Sequence, residues 1–301
     1  MTSKTRILLL IPFIFGVLPV RVTAEGVLIT TENITAYLYT RANPDTPDFL
    51  HTNDLSDLRQ SHFNSSLPNY IVFHGSVDNY LSSMYIKEPL LDVADVNLFL
   101  VDYSGPASNL TWRTQAIEDT GRIVTDYIQL ILTEYSIDLH SITLVGFSMG
   151  THICGQIGKL FNGNLDTIVA LDPGDRPPIV IGSSRARYVH VIHTSITGIQ
   201  TPVGHADYYA NTNDQPGCNG NETCNHFRST RFYAESLSTG GFTAVKCDSR
   251  ESFVAGLCNG NEKSHLGGII LDRRYVRYCF IFICTVYNTR RSNFYARERL
   301  I

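Results

Sequence analysis

The sequence predicts an α/β protein with a mostly parallel central sheet and helices on both faces. Three observations carry this. Short, almost wholly apolar runs at 70–73, 96–101, 142–145, 168–171 and 188–192 read as strands buried on both sides. Between the second and third of them, Ile117, Val124, Ile128 and Ile131 recur at helical spacing, so 114–135 reads as an amphipathic helix. The third run passes through Gly146, Phe147, Ser148, Met149 and Gly150 straight into a second helical stretch, 149–161. Strands that alternate with helices pair in parallel, because the helix is the crossover. Ligands of such sheets bind outside the carboxyl ends of the strands.

Taken in order, the chain opens with a targeting pattern. Lys4 and Arg6 precede an apolar run at 7–20, too short to span a bilayer. Val22, Thr23 and Ala24 then offer a small-residue cleavage site, so 1–24 is expected to be a signal peptide and 25–301 one α/β domain. No later run is long and apolar enough to be a transmembrane segment. Residues 40–69, rich in Asn, Asp, Ser and Pro, read as surface loop.

A secreted chain meets an oxidising compartment, so its seven cysteines invite pairing. Cys218 with Cys224 would clip a small loop, and Cys247 with Cys258 a longer one. Cys154, on the helix after Gly150, reads as a buried thiol. If 276–286 is one strand, Cys279 and Cys284 stand ~16 Å apart and cannot bond without a turn between them. Asn33, Asn64, Asn109 and Asn221 begin Asn-x-Ser/Thr sequons and are candidate glycosylation sites in surface loops.

The formal charge is −4. Lys4, Arg6 and Arg21 bring +3, and seven arginines with two acids from Asp272 onward bring +5, which leaves −12 on the body. Such a body is a poor partner for nucleic acid. The basic tail reads as solvated charge at a terminus, with anionic lipid surfaces as the alternative.

The chemistry centres on Ser148. A Gly-x-Ser-x-Gly between strand and helix is a nucleophile elbow, which exposes the serine oxygen above the sheet at a helix N-terminus. A serine hydroxyl becomes nucleophilic only when a base takes its proton and an acid fixes that base. In an elbow of this kind the partners follow in the order acid, then histidine. Asp172 ends the strand run 168–171 and precedes Pro173 and Gly174, a tight turn at the sheet edge. Ten histidines compete for the base. His226 lies two residues after Cys224, where a disulfide would anchor its loop. His74 precedes a turn, His152 lies one turn past Ser148, His190 and His193 sit in a strand run, and His205 follows it. None shows metal-ligand spacing.

These residues resemble the pancreatic-lipase-like lipases, closest to the single-domain insect and venom phospholipases A1. The resemblance covers roughly 61–258. It rests on SHFN at 61–64, VFHG at 72–75, VDYS at 101–104, GFSMGTH at 146–152, LDPG at 171–174, VIHT at 191–194, GHADYY at 204–209, QPGC at 215–218 and CNHFRS at 224–229. It implies the α/β-hydrolase fold, with Ser148 as nucleophile, Asp172 as acid, His226 as base, and the backbone N–H groups of Ser76 and Met149 as oxyanion hole. His74 would orient that backbone.

Three departures refine the expectation. Ser76 stands where the family has a bulky aromatic. The acidic calcium ligands of some relatives are replaced by Arg185 and Arg187, so no metal and no cofactor is expected. Asn261 and Leu266 stand near the family's second C-terminal disulfide, and from about 269 the likeness ends. In the family a lid lies between the cysteines preceding the histidine. Here only 219–223 separate Cys218 from Cys224, too few and too polar for an amphipathic lid. The resemblance therefore implies phospholipase A1 activity, sn-1 ester hydrolysis of phospholipids at a membrane or micelle surface, with triacylglycerol or galactolipid lipase as the alternative. A non-catalytic lipid carrier or yolk-like protein on the same fold is the reading from another class, and a peptidase a third. The intact triad argues against the carrier.

Overall fold

Residues 21–23, 26–176, 178–211, 213–274 and 278–282 are described by the structure, a computed structural model, with side chains over 28–274. The 1–24 leader falls outside this apart from 21–23, which form a small antiparallel pair with Gly26–Leu28. The question of Cys279 and Cys284 also lies outside it.

The apolar runs become strands β3 (Asn69–Phe73), β4 (Asn97–Asp102), β5 (Ile142–Phe147), β6 (Thr167–Leu171) and β7 (Tyr188–His193). Nearly every residue in them is buried, as parallel strands covered on two faces require. Before them come β1 (Thr35–Tyr39) and β2 (Asp48–His51). After them come β8 (Ala206–Ala210), β9 (Phe242–Lys246), β10 (Lys263–Leu266) and β11 (Tyr278–Phe282). The sheet order is β10-β9-β11-β8-β7-β6-β5-β3-β4-β1-β2, parallel from β11 to β4 and antiparallel at both margins. This is the α/β-hydrolase arrangement.

Four long helices cover it. On one face α2 (Arg113–Tyr135) packs on α3 (Met149–Leu160) over Ile71, Phe73, Leu144 and Ile168. The two helices approach so closely that a Cβ on Gly121 would stand 2.6 Å from Gln156. On the other face α1 (Met84–Val93) packs on α4 (Glu222–Thr239) over Tyr70, Val72, Val145 and Leu171. Neighbouring strand residues thus feed opposite cores, as the two-residue repeat demands. Each fully buried Leu, Ile or Phe among them contributes roughly 1.5–3 kcal/mol.

Several elements differ from the sequence reading. Within 40–69, read as loop, Asp48–His51 forms β2 and Ser56–Gln60 a short helix. The strand is an edge held by pairing with β1, and only Leu50 of it is buried, so it has no apolar signature of its own. Helix α1 contains Pro89, which interrupts the ladder and hides the periodicity, and its Lys87 is buried with Nζ donating to Pro44 O at 2.6 Å. Cys218–Cys224 and Cys247–Cys258 are both bonded, and Cys154 is a free buried thiol, as the spacing suggested. Among the described residues no helix is long and apolar enough to cross a membrane.

Candidate active site

Strand register brings the site together. Phe73 lies beside Gly146, Gly146 beside Ala170, and Ala170 beside Val191, so β3, β5, β6 and β7 reach one edge in step. Ser148 follows β5 with φ 52° and ψ −116°, a conformation that costs a side-chain-bearing residue on the order of 1–3 kcal/mol. Its neighbours hold it there. Ser148 N donates to Leu171 O at 3.0 Å, and the N–H of Thr151 and its Oγ1 donate to Ser148 O. The glycines are needed for close approach. A Cβ on Gly150 would stand 2.5 Å from the carbonyl oxygens of Phe73 and His74, and one on Gly146 2.6 Å from Gly150 backbone.

Asp172 follows β6 with φ 43° and is fully buried. Four donors meet its carboxylate. Thr194 N (2.7 Å) and Ser195 N (3.3 Å) donate to Oδ1, while Ser195 Oγ and His226 Nδ1 (2.6 Å) donate to Oδ2. A buried charge is tolerable only when paired and hydrogen-bonded in this way. His226 lies in the second turn of α4. Asn221 caps that helix by accepting from Cys224 N at 2.9 Å, and the Cys218–Cys224 bond fixes its start. Because Nδ1 donates to Asp172, the neutral ring has its lone pair on Nε2, the tautomer of a general base. The ring packs 4.6 Å from the Phe147 ring, next to Ser148. Ser148 Oγ and the imidazole are not hydrogen-bonded among the described residues, a looseness common before substrate arrives.

The two residues expected to supply the oxyanion hole touch through their side chains. Ser76 Oγ lies 3.3 Å from Met149 Sδ, and Met149 opens α3, so its N–H has no partner within the helix. The sheet edge carries a serine on a strained turn and, beside it, a histidine bonded to a buried acid, a set of groups suited to acyl transfer.

The Lipase family profile matches residues 16–277. The chain belongs to the lipase family. It is 30% identical over 268 residues to the pancreatic triacylglycerol lipase of Myocastor coypus, covering 76% of this chain and 58% of that protein. It is 32% identical over 252 residues to lipase member H of Danio rerio, covering 76% and 55%. It is 29% identical over 260 residues to the human inactive pancreatic lipase-related protein 1, covering 73% and 55%. The chain spans little more than half the length of these relatives.

The competing histidines of this lipase-family chain are tied into structure. His74 is buried, with Nδ1 donating to Gly75 O at 2.8 Å, Nε2 accepting from Tyr103 N at 3.2 Å, and its ring stacked on Tyr103. Tyr103 OH also donates to His74 O, so the ring and its peptide are clamped just before Ser76. His152 donates from Nε2 to Gly174 O at 2.7 Å and accepts from Val180 N at 3.2 Å, fixing the segment after Asp172. His193 bridges Ile199 O and Asp207. His190 accepts from Gly267 N, and His205 from Val189 N.

Burial lowers His152 to about 4 and His190 to about 3, from 6.5. Both stay neutral in the folded chain at pH values where the unfolded chain takes up protons. Stability therefore falls as pH drops from about 6.5 through that window. The melting temperature is expected to decline steadily between pH 7 and pH 4; a flat profile there would contradict these two neutral rings.

Sequence reasoning missed some of the residues that hold Asp172. Ser195 has no motif of its own, and neither does Gly198, whose Cβ would stand 2.7 Å from Asp172 Oδ1. Gln215 ties the site's shell together: its Nε2 donates to Thr194 O at 2.7 Å and Ala210 O at 3.0 Å, while its N donates to Asn225 Oδ1. Gln215 carried a signal through the QPGC string, as Thr194 did through VIHT. Gly198→Ala is expected to lower kcat about 100-fold with little change in KM, because an added methyl displaces the carboxylate that orients the base. Steady-state kinetics check this.

Two further features bear on the site. Arg113, the first residue of α2, is 8% exposed. Its Nε donates to Arg176 O at 3.1 Å, and burial first, then the Arg176 charge, lower its pKa. Of the sequons, Asn64, Asn109 and Asn221 are exposed, but Asn33 is buried, its Oδ1 accepting from Thr30 N at 2.9 Å. The expectation of a surface loop at Asn33 is thereby corrected: the side chain closes a turn. Among the described residues no group of three His, Cys, Asp or Glu is placed to hold a metal ion.

Proposed function

We propose that the chain is a secreted carboxylic ester hydrolase acting on lipids, with phospholipase A1 activity. The observation that carries the ester-hydrolase reading is the 2.6 Å bond from His226 Nδ1 to the buried Asp172, beside the strained turn at Ser148. Ser148 Oγ attacks the ester carbonyl while His226 Nε2 takes its proton. Asp172 stabilises the resulting imidazolium, and the N–H groups of Ser76 and Met149 receive the oxyanion. Each such donor supplies about 2.7–4 kcal/mol of transition-state stabilisation. His226 then protonates the leaving glycerol oxygen, and water releases the fatty acid from the acyl-enzyme by the reverse sequence.

The short loop supports phospholipid over triglyceride. Residues 219–223 between the bonded cysteines form a turn that runs into α4 and carries no helix of its own. Without an amphipathic cover the cleft stands open, so activity is expected to rise smoothly as substrate passes from monomers to aggregates. A sharp jump at the aggregation threshold would assign a lid to another segment. Triacylglycerol lipase is the second reading, favoured by the names of the mammalian relatives. Secretion is supported by the leader pattern and the two disulfides, and we further propose one catalytic domain over 25–301 with glycosylation at Asn64, Asn109 or Asn221.

The test is product analysis on a phospholipid bearing different acyl chains at its two positions, beside a triglyceride. Release of the sn-1 chain alone supports phospholipase A1. Turnover of triglyceride alone supports the second reading, and turnover of neither removes both.

A further inference from the structure

A buried guanidinium needs an anion, because an unpaired charge taken out of water is destabilising. Arg113 has no carboxylate within salt-bridge reach among the described residues, and its Nη2 is sealed from solvent without any acceptor. Asp175, exposed on the segment after the acid, acts on it only at longer range. The side chain is thus mostly buried and held by one bond to Arg176 O, with no carboxylate paired to it directly.

Its position gives that charge a meaning. A Cβ built on Gly174 would stand 3.0 Å from Arg113 Nη2 and 3.5 Å from Ser148 Oγ. The sum of those distances, 6.5 Å, is the most that can separate the guanidinium from the hydroxyl. The space that a Cβ on Gly174 would fill borders both groups. Arg176, exposed on the same segment, adds a second positive charge.

We propose that Arg113, with Arg176 at its rim, forms an anion subsite beside Ser148 that receives an oxyanion carried by the lipid. Two sources share this chemistry: the phosphodiester of a glycerophospholipid and the carboxylate of the released fatty acid. Glycerol holds the sn-1 ester and the phosphate at opposite ends of three carbons, so an ester at Ser148 Oγ brings its phosphate within a few ångströms. Arg's planar fork suits either group bidentately. The inference rests on the ester-hydrolase reading for its substrate, but the charge and its place do not depend on it.

Binding and turnover test it separately. Dihexanoyl phosphatidylcholine and hexanoate are each titrated into Ser148→Ala protein and into Ser148→Ala/Arg113→Gln protein by calorimetry. In parallel, kcat/KM is measured for the short-chain phospholipid and for the diacylglycerol with the same chains. Loss of the guanidinium is expected to weaken binding of at least one anion tenfold or more. If the phosphate is the occupant, the phospholipid-to-diacylglycerol ratio also falls at least tenfold in Arg113→Gln, and Arg113→Lys recovers part of it. If the carboxylate is the occupant, that ratio holds and hexanoate binding alone weakens. Unchanged binding of both anions in folded Arg113→Gln, or in Arg113→Met should the first not fold, overturns the subsite. Absence of any Ser148-dependent hydrolysis, with anion binding still sensitive to Arg113, overturns the enzyme reading and leaves the subsite standing.

Discussion

Ser148→Ala is expected to lower fatty-acid release from phosphatidylcholine by at least about 10⁴-fold while the protein melts close to the wild type. The hydroxyl makes no hydrogen bond within the described residues, so its removal leaves no buried partner stranded. The backbone that holds the turn is untouched: Ser148 N still donates to Leu171 O, and Ser148 O still accepts from Thr151. The substitution thus removes the nucleophile alone. Fatty-acid titration beside a thermal melt checks both halves. Comparable activity in the variant would place the chemistry elsewhere.

Asp172→Asn is the second large effect, expected to lower kcat about 10⁴-fold. The reason is the direction of hydrogen bonds. The carboxylate accepts from Thr194 N, Ser195 N, Ser195 Oγ and His226 Nδ1. An amide in its place turns its oxygen to the two backbone N–H groups and presents its NH₂ to the histidine. His226 must then accept at Nδ1 and carry its proton on Nε2, the atom that ought to take the serine proton. The base is lost through its tautomer while the fold survives. A pH series of kcat on a soluble ester tests this: the loss should persist at neutral pH and shrink as hydroxide takes over as base at high pH. A variant within tenfold of the wild type would mean that Asp172 is structural only.

The same contacts show which parts of the molecule the sequence declared. Strands β3 to β7 were legible because burial on both faces forces unbroken apolar runs, and the observed bounds differ from 70–73, 96–101, 142–145, 168–171 and 188–192 by a residue or two. Helix α2 was legible from one apolar stripe. Strand β2 was hidden because an edge strand borrows its stability from pairing, and α1 because Pro89 interrupts its repeat. Helix α4 was hidden because its buried face includes Asn225, Arg228, Ser229 and Thr230, polar side chains that pattern reading assigns to solvent.

At the site, Ser148 was visible as an elbow and Asp172 as a strand-ending acid before a turn. His226 could be chosen from ten histidines only through resemblance, since its partner lies 54 positions away along the chain. Ser195 and Gly198 were invisible for one physical reason. Their roles come from the Asp172 carboxylate that tertiary approach places against them, and no local spacing records that.

Rapid-quench mass spectrometry during turnover of a chromogenic short-chain ester tests the central claim most directly. A transient acyl adduct on the peptide containing Ser148, formed with a burst of alcohol and lost as fatty acid appears, is the predicted result. Sustained hydrolysis that proceeds equally in Ser148→Ala protein, with no adduct on that peptide, would contradict it.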